Sequence, residues 1–289
     1  MPDERAVDEL TSGLAFVDLS RWRAVGARGA DALAWLDALV SADLSGLSPG
    51  AARRSLLLSP TGAVRAEFTV AVGDDEILLL QDPAQATPVQ TILAPYVLSA
   101  DVRLGDRSGE LTLLAFPAGA PEIAAPGART SAPSCVGNGA GIDLLAPAVR
   151  HDAIVASLAA AHTQADAGAL ERWRVRTGIP RLAVDAGDGD LPDEAGLSGA
   201  VSPDKGCFLG QEAVAKVRNL GHPRRVLLRL WADRAVRRGD VVESGGSAVG
   251  SVTSVGSGDG RHAVFARVRW ENRESALRTA SGVRLERAG

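Results

Sequence analysis

Lysine is almost missing from this sequence. Of its 31 basic residues only Lys205 and Lys216 are lysines; the rest are arginines. Cysteine is as scarce, with Cys135 and Cys207 alone, which excludes a disulfide framework and a cysteine-rich metal knot. The four histidines, His151, His162, His222 and His262, show no ligand-like spacing. No structural zinc and no permanently held iron–sulfur cluster is expected, since both need about four ligands at close spacing. No apolar run approaches the roughly 18 residues of a membrane span. The opening MPDERAVDEL lacks the basic-then-apolar order of a secretion signal, so free thiols in a reducing cytoplasm are expected. The net charge of −4 argues against nonspecific nucleic-acid binding, and no direct nucleic-acid partner is expected.

What is present is an ordinary soluble composition, 46% hydrophobic and 23% charged, over 289 residues. ADALAWLDALV reads as a helix with Leu33, Leu36, Leu39 and Val40 on one stripe and Asp31 as its cap. SLLLSPTGAVRAEFTVAVGDDEILLL reads as a three-stranded meander turning at SPTG and GDDE. A helix in PAQATPVQTILAPYVL ends or kinks at Pro95, and HDAIVASLAAAH is a further helix. DAGDGDLPDE reads as a solvated acidic loop, its spacing unlike a calcium loop. The glycines at 137–141 lack the strand and helix of a dinucleotide fingerprint. After Arg225, VLLRLWA, DVVES, AVGSVTSVG and HAVFARVRW are short alternating segments between glycine-rich turns, including GSGDG, which predicts a small β-barrel.

Both lysines and one cysteine fall in one stretch, SPDKGCFLGQEAVAKVRNLGHPRRV. GQEAVAKVRNL has helical spacing with Ala213, Val214 and Val217 on one face and Gly221 at its end. Cys207 therefore precedes a helix N-terminus, where a dipole and a nearby Lys205 would favour a thiolate or an anionic ligand. A small buried cysteine and a solvated lysine are the plainer alternatives. Cys135, in a loose region, reads as incidental. Lys216, Arg218, His222, Arg224 and Arg225 form a basic run suited to a carboxylate, a phosphate or a charged face at a domain junction.

Lys205-Gly206-Cys207-Phe208-Leu209-Gly210-Gln211-Glu212 resembles the K-G-C-[FY]-x-G-Q-E signature of the YgfZ family. These are folate-binding proteins of iron–sulfur cluster assembly and repair, related to the glycine-cleavage T-protein, an aminomethyltransferase. ERWRVRTGIPRL, through Arg174, Val175, Gly178 and Pro180, and LPDE at Leu191–Glu194 resemble further elements of that family. The resemblance implies an α+β fold of three lobes around a central folate-sized opening. It divides the chain into a folate-binding region over 1–225 and a C-terminal barrel over 226–289. Tetrahydrofolate or a one-carbon-substituted folate would be the cofactor and iron–sulfur client proteins the transient partners. Cys207, Lys205 and Glu67 would carry chemistry, and Gly206, Phe208, Gly210, Gln211, Glu212, Arg174 and Arg176 would bind the folate. Four positions depart from the T-protein, which has Asp where Glu67 and Cys207 stand, Glu where Arg176 stands and usually Arg where Gln211 stands. Two other functions stay open: a folate-dependent aminomethyl or other one-carbon transferase, and a non-catalytic interaction module that keeps folate as a structural ligand.

Overall fold

A computed structural model of the chain describes residues 4–120, 123–137, 139–187, 189–258 and 261–288, apart from the side chain of Leu220. The chain divides into two compact units. The first takes Met1–Leu58, Arg65–Leu170 and Ala200–Leu209, and the second takes Ser59–Val64, Glu171–Gly199 and Gly210–Gly289.

The first unit is α+β. In chain order its elements are α1 (Glu4–Ser12), β1 (Ala15–Asp18), β2 (Arg23–Arg28), α2 (Ala32–Leu39), β3 (Ala52–Leu58), β4 (Val64–Val72) and β5 (Ile77–Gln81). They continue with α3 (Val89–Leu93), β6 (Arg103–Asp106), β7 (Leu111–Phe116), β8 (Arg129–Ser131), β9 (Ile142–Pro147), α4 (His151–Ala159), β10 (Thr163–Ala165) and α5 (Ala167–Thr177), which runs on into the second unit. One sheet has the order β3-β4-β5-β2-β6 and the other β10-β1-β7-β9-β8. The expected meander is β3, β4 and β5, turning at Ser59–Gly62 and at Gly73–Glu76, where the Gly73 N–H donates to the Glu76 carbonyl at 3.0 Å. Period-two burial on β4 sends Val64, Ala66, Phe68 and Val70 inward, and the last three join Leu36 of α2 and Leu93 of α3 in one core. Glu67 and Thr69 take the opposite face. Each fully buried leucine or phenylalanine there stabilises the fold by about 2 kcal/mol. α3 stops at Leu93 and Pro95 sits in the 3₁₀ turn that follows, as the missing proline N–H requires. Asp31 is not a side-chain cap of α2; its carboxylate instead accepts the Asp101 N–H at 2.8 Å.

Cys135 is buried beside Asp143, a fully buried carboxylate on β9. Asp143 accepts the Ser134 hydroxyl at 2.6 Å and the Cys135 N–H at 2.7 Å, so it ties the irregular 134–137 segment to the sheet. Burial pushes the Asp143 carboxyl up to about 6, only partly offset by those donors. The same burial and the nearby carboxylate push the Cys135 thiol well up, which suits a packing role. Because the folded pKa of Asp143 lies above its unfolded one, this group favours the fold most below about pH 4. That contribution is lost as pH rises through about 6, an effect of about 3 kcal/mol. Asp143→Asn, whose amide can accept from Cys135 and donate to Ser134, is expected to flatten stability between pH 4 and 7. Urea unfolding across that range checks it; an unchanged slope would exclude Asp143 as its source.

The second unit is built on a barrel. Its elements are α6 (Gln211–Leu220), β11 (Arg225–Ala232), β12 (Val241–Ser244), β13 (Ser247–Gly258), β14 (Arg261–Arg269), β15 (Leu277–Thr279) and β16 (Arg284–Arg287), and the six strands close in the order β11-β14-β13-β12-β15-β16. Leu230, Val242, Val252, Val264, Val268 and Leu285 fill the barrel. Of the predicted GSGDG turn, Gly256, Ser257 and Gly258 belong to the end of β13, and Asp259 and Gly260 lie outside the described residues, as Asn138 of the 137–141 string does.

The acidic stretch 185–194 is not a solvated loop, although Asp188 lies outside the described residues. Asp185, Asp190 and Glu194 are buried. Asp190 pairs with Arg267 and accepts the Gly187 N–H at 2.9 Å; Glu194 accepts the Leu191 and Arg224 N–H groups. Asp185 reaches the barrel through a β-bulge. The register of β13 against β14 shifts between Val252 and Ser254. A bulge re-aims neighbouring side chains that would otherwise face opposite ways, and here Thr253 and Ser254 both donate to Asp185 Oδ1, at 2.7 and 2.5 Å.

Candidate functional site

Cys207 sits on a strap of the first unit that is fixed on both sides. Upstream, the Ser202 N–H donates to the Ser41 carbonyl, the Ser202 hydroxyl accepts the Asp43 N–H at 2.8 Å, and the Ser41 hydroxyl donates to the Ala200 carbonyl at 2.7 Å. Downstream, Leu209 packs on the core that holds Leu36 and Phe68. Between these anchors Gly206 and Cys207 are exposed, and a Cβ placed on Gly206 would meet nothing within 4 Å. Both cysteines are free thiols, and Cys207 is the exposed one.

Lys205 has turned away from that thiol. Its side chain is 1% exposed. The ammonium donates to the carbonyls of Asp37 at 2.6 Å, Val40 at 2.9 Å and Ala42 at 2.7 Å, and to Asp37 Oδ1 at 3.1 Å. These oxygens surround the C-terminus of α2, where unpaired carbonyls and the negative end of the helix dipole favour a cation. The Phe208 ring lies 5.7 Å away. Expected to tune the thiol, Lys205 is instead a plug that holds the strap against α2. Asp37, which sequence reasoning missed, completes the joint by accepting the Leu44 N–H at 2.7 Å.

Glu67 lies on β4 in the same unit, its side chain 14% exposed. Gln85 grips its backbone, accepting its N–H at 3.0 Å and donating to its carbonyl at 2.7 Å. Arg54 on β3 donates from Nε to Glu67 Oε1 at 2.6 Å and makes a second contact from the guanidinium to the same oxygen. Arg54 is the second residue missed. A signal for it was present: Arg54 and Glu67 each stand five residues out from the ends of the Ser59–Gly62 turn, and opposite charges at such places pair across a hairpin.

The remaining candidates belong to the second unit. Gly210 precedes α6 with φ at 82°, a left-handed conformation that favours glycine, and offers no side-chain cap. Gln211 and Glu212 form the first turn of α6, with Glu212 exposed and suited to the positive end of the dipole. Arg174 and Arg176 are two apart on α5 and differ sharply. Arg174 is buried, and all five of its N–H groups are engaged. Nε donates to Glu171 at 2.7 Å, one Nη to the Ile179 carbonyl at 3.0 Å and Asp185 at 2.7 Å, and the other to Ser254 at 2.6 Å and to Glu171. Expected as a cofactor contact, it leaves no donor for a ligand. Arg176 donates to the Ser257 carbonyl at 2.8 Å, while its own carbonyl accepts from Arg229. The basic run ends beside a hollow of about 290 Å³ lined by Asp193, Arg218, His222 and Trp270, the last two rings parallel at 5.5 Å.

A folate offers an N–H edge on its pterin and carboxylates on its glutamate tail. In the first unit the acceptor for the pterin edge is represented by Glu67, paired with Arg54; Arg174 offers no cation for the tail. The fit is therefore partial and rests on Glu67. Among the described residues no group of three His, Cys, Asp or Glu side chains is placed to hold a metal ion, and no helix is long and apolar enough to cross a membrane.

No family model matches the chain. Its sequence is 26% identical over 261 residues to an aminomethyltransferase of Thermosynechococcus vestitus, covering 82% of this chain and 71% of that one. It is 26% identical over 269 residues to the aminomethyltransferase of Geobacillus kaustophilus, covering 82% and 73%. A chloroplastic putative transferase of Arabidopsis thaliana is 24% identical, covering 89% of this chain and 65% of its own. The glycine cleavage system aminomethyltransferase T of Bartonella henselae superposes with a TM-score of 0.82 at 19% identity, over 98% of this chain and 88% of that one. The chain thus has the glycine-cleavage T-protein fold, ending in a closed six-stranded barrel, and a sequence similar to aminomethyltransferases over four fifths of its length.

Proposed function

We propose that this protein binds a reduced folate and serves the assembly or repair of iron–sulfur clusters in client enzymes of the cytoplasm, with Cys207 as the thiol it offers them. The observation that carries the reading is the exposed Cys207 on a strap pinned by Lys205 on one side and Leu209 on the other. A thiol fixed in place yet open to solvent suits contact with a second protein, whereas a packing cysteine would be buried like Cys135. The T-protein fold and the resemblance of the Lys205–Glu212 motif to the YgfZ signature support the folate and cluster parts of the reading. Tetrahydrofolate, when bound, supplies a carrier for one-carbon units and a reducing ring. Toward it, Glu67 would accept from the pterin edge. Clients would bind transiently, since two cysteines cannot retain a cluster.

Aminomethyl transfer is the second reading, favoured by the names of the relatives. It requires Glu67 to move a proton, and the carboxylate is already engaged by Arg54.

Anaerobic calorimetry with tetrahydrofolate, on wild type and Cys207→Ser, separates the parts. Micromolar binding by both is expected. Cells lacking the protein should regain iron–sulfur enzyme activity with the wild type and not with Cys207→Ser. No binding by the wild type would sink the folate part; full rescue by Cys207→Ser would sink the role of the thiol.

A further inference from the structure

Arg54 and Glu67 form a partly shielded pair of opposite charges on the face of β4 turned away from the core, 22% and 14% exposed. The pair is held on both sides. Arg54 takes Glu67 Oε1 from β3, and Gln85 clamps the Glu67 backbone. Gln85 is itself fixed, its carbonyl accepting from Arg23 at 2.6 Å and its side-chain oxygen from Gln81 at 3.2 Å. The clamp fixes the backbone from which the Glu67 side chain reaches its guanidinium. A lone carboxylate at about 4 Å would favour a cationic amine by about a thousandfold at an effective dielectric near 20. A guanidinium on the same oxygen cancels most of that attraction and adds a steric stop.

We propose that Arg54 is a specificity-determining residue: by pairing with Glu67 it makes this part of the folate site electrically neutral, so the site takes folates with an uncharged one-carbon substituent and refuses ammonium-bearing donors. This rests on the reading of Glu67 as part of a folate site. It also predicts that the chain does not turn over amine donors.

The test uses the full chain and methylammonium chloride as the cationic probe, with sodium chloride at equal ionic strength as control. Thermal unfolding is followed for wild type, Arg54→Met, Glu67→Gln and the double variant, with Arg54→Gln in reserve should Arg54→Met not fold. A ligand that binds only the native state raises the midpoint. Methylammonium is expected to raise the midpoint of Arg54→Met by a few degrees and to leave wild type, Glu67→Gln and the double variant unmoved. A wild type stabilised as much as Arg54→Met, or an Arg54→Met and Arg54→Gln both indifferent to the cation, would overturn the proposal. Calorimetry of the wild type with 5-formyltetrahydrofolate runs alongside. Its failure would sink the folate reading, whereas the methylammonium shift reports on the charge pair by itself.

Discussion

Replacing Arg174 by methionine is expected to lower the free energy of unfolding by about 4 kcal/mol, the scale for breaking a buried charge network from one side. Methionine keeps most of the aliphatic volume, so the loss comes from the polar end. Removing the guanidinium leaves the Asp185 side chain, 0% exposed, without its cation. It also strands the Ile179 carbonyl and parts α5 from Ser254 of the barrel. Arg174→Lys restores the charge and one or two of the five bonds, so it should recover less than half of the loss. Urea unfolding of the three proteins measures this. The ligand-binding role expected from the sequence makes the opposite forecast, in which Arg174→Lys would weaken folate binding and leave stability nearly untouched. A loss under about 1 kcal/mol for Arg174→Met, an ordinary surface effect, would return Arg174 to the binding site.

Arg174 also shows where reading the sequence stops. Elements with a strong local period were legible: Leu36 and Val40 mark the buried stripe of α2, SPTG and GDDE place the turns of the meander, and alternation in VLLRLWA and HAVFARVRW announces β11 and β14. β15 and β16 escaped because three or four residues carry too little pattern to separate from loop. The acidic stretch misled for a different reason. Whether Asp185 and Asp190 face water depends on Arg174, Thr253, Ser254 and Arg267, partners 11 to 77 positions away that only the closed barrel brings near. The motif could be spelled out from Lys205 to Glu212, yet spelling did not say which side chains turn inward. Lys205 and Cys207 are two residues apart and face opposite demands, one filling a ring of carbonyls and the other meeting solvent.

Lys205→Met is therefore expected to cost about 3 kcal/mol of unfolding free energy, because it leaves the carbonyls of Asp37, Val40 and Ala42 without its ammonium in a nearly closed space and takes the cation from the Asp37 carboxylate. Lys205→Arg should not restore it. An ammonium turns its three donors toward oxygens arriving from several directions, whereas a guanidinium keeps its donors in one plane and is larger. This explains a lysine in a chain that otherwise uses arginine. Stability alone would not separate a plug from a residue that activates the thiol, so the second readout is the rate at which Cys207 reacts with a disulfide reagent near pH 7. An activating cation makes the thiolate more abundant, and removing it would slow the reaction tenfold or so. A plug holds the strap in place, and removing it leaves the rate unchanged or raises it as the strap loosens. Faster hydrogen exchange across residues 200–209 together with an undiminished thiol rate is the expected result; a slowed thiol in a protein of unchanged stability would restore Lys205 to the chemistry of Cys207.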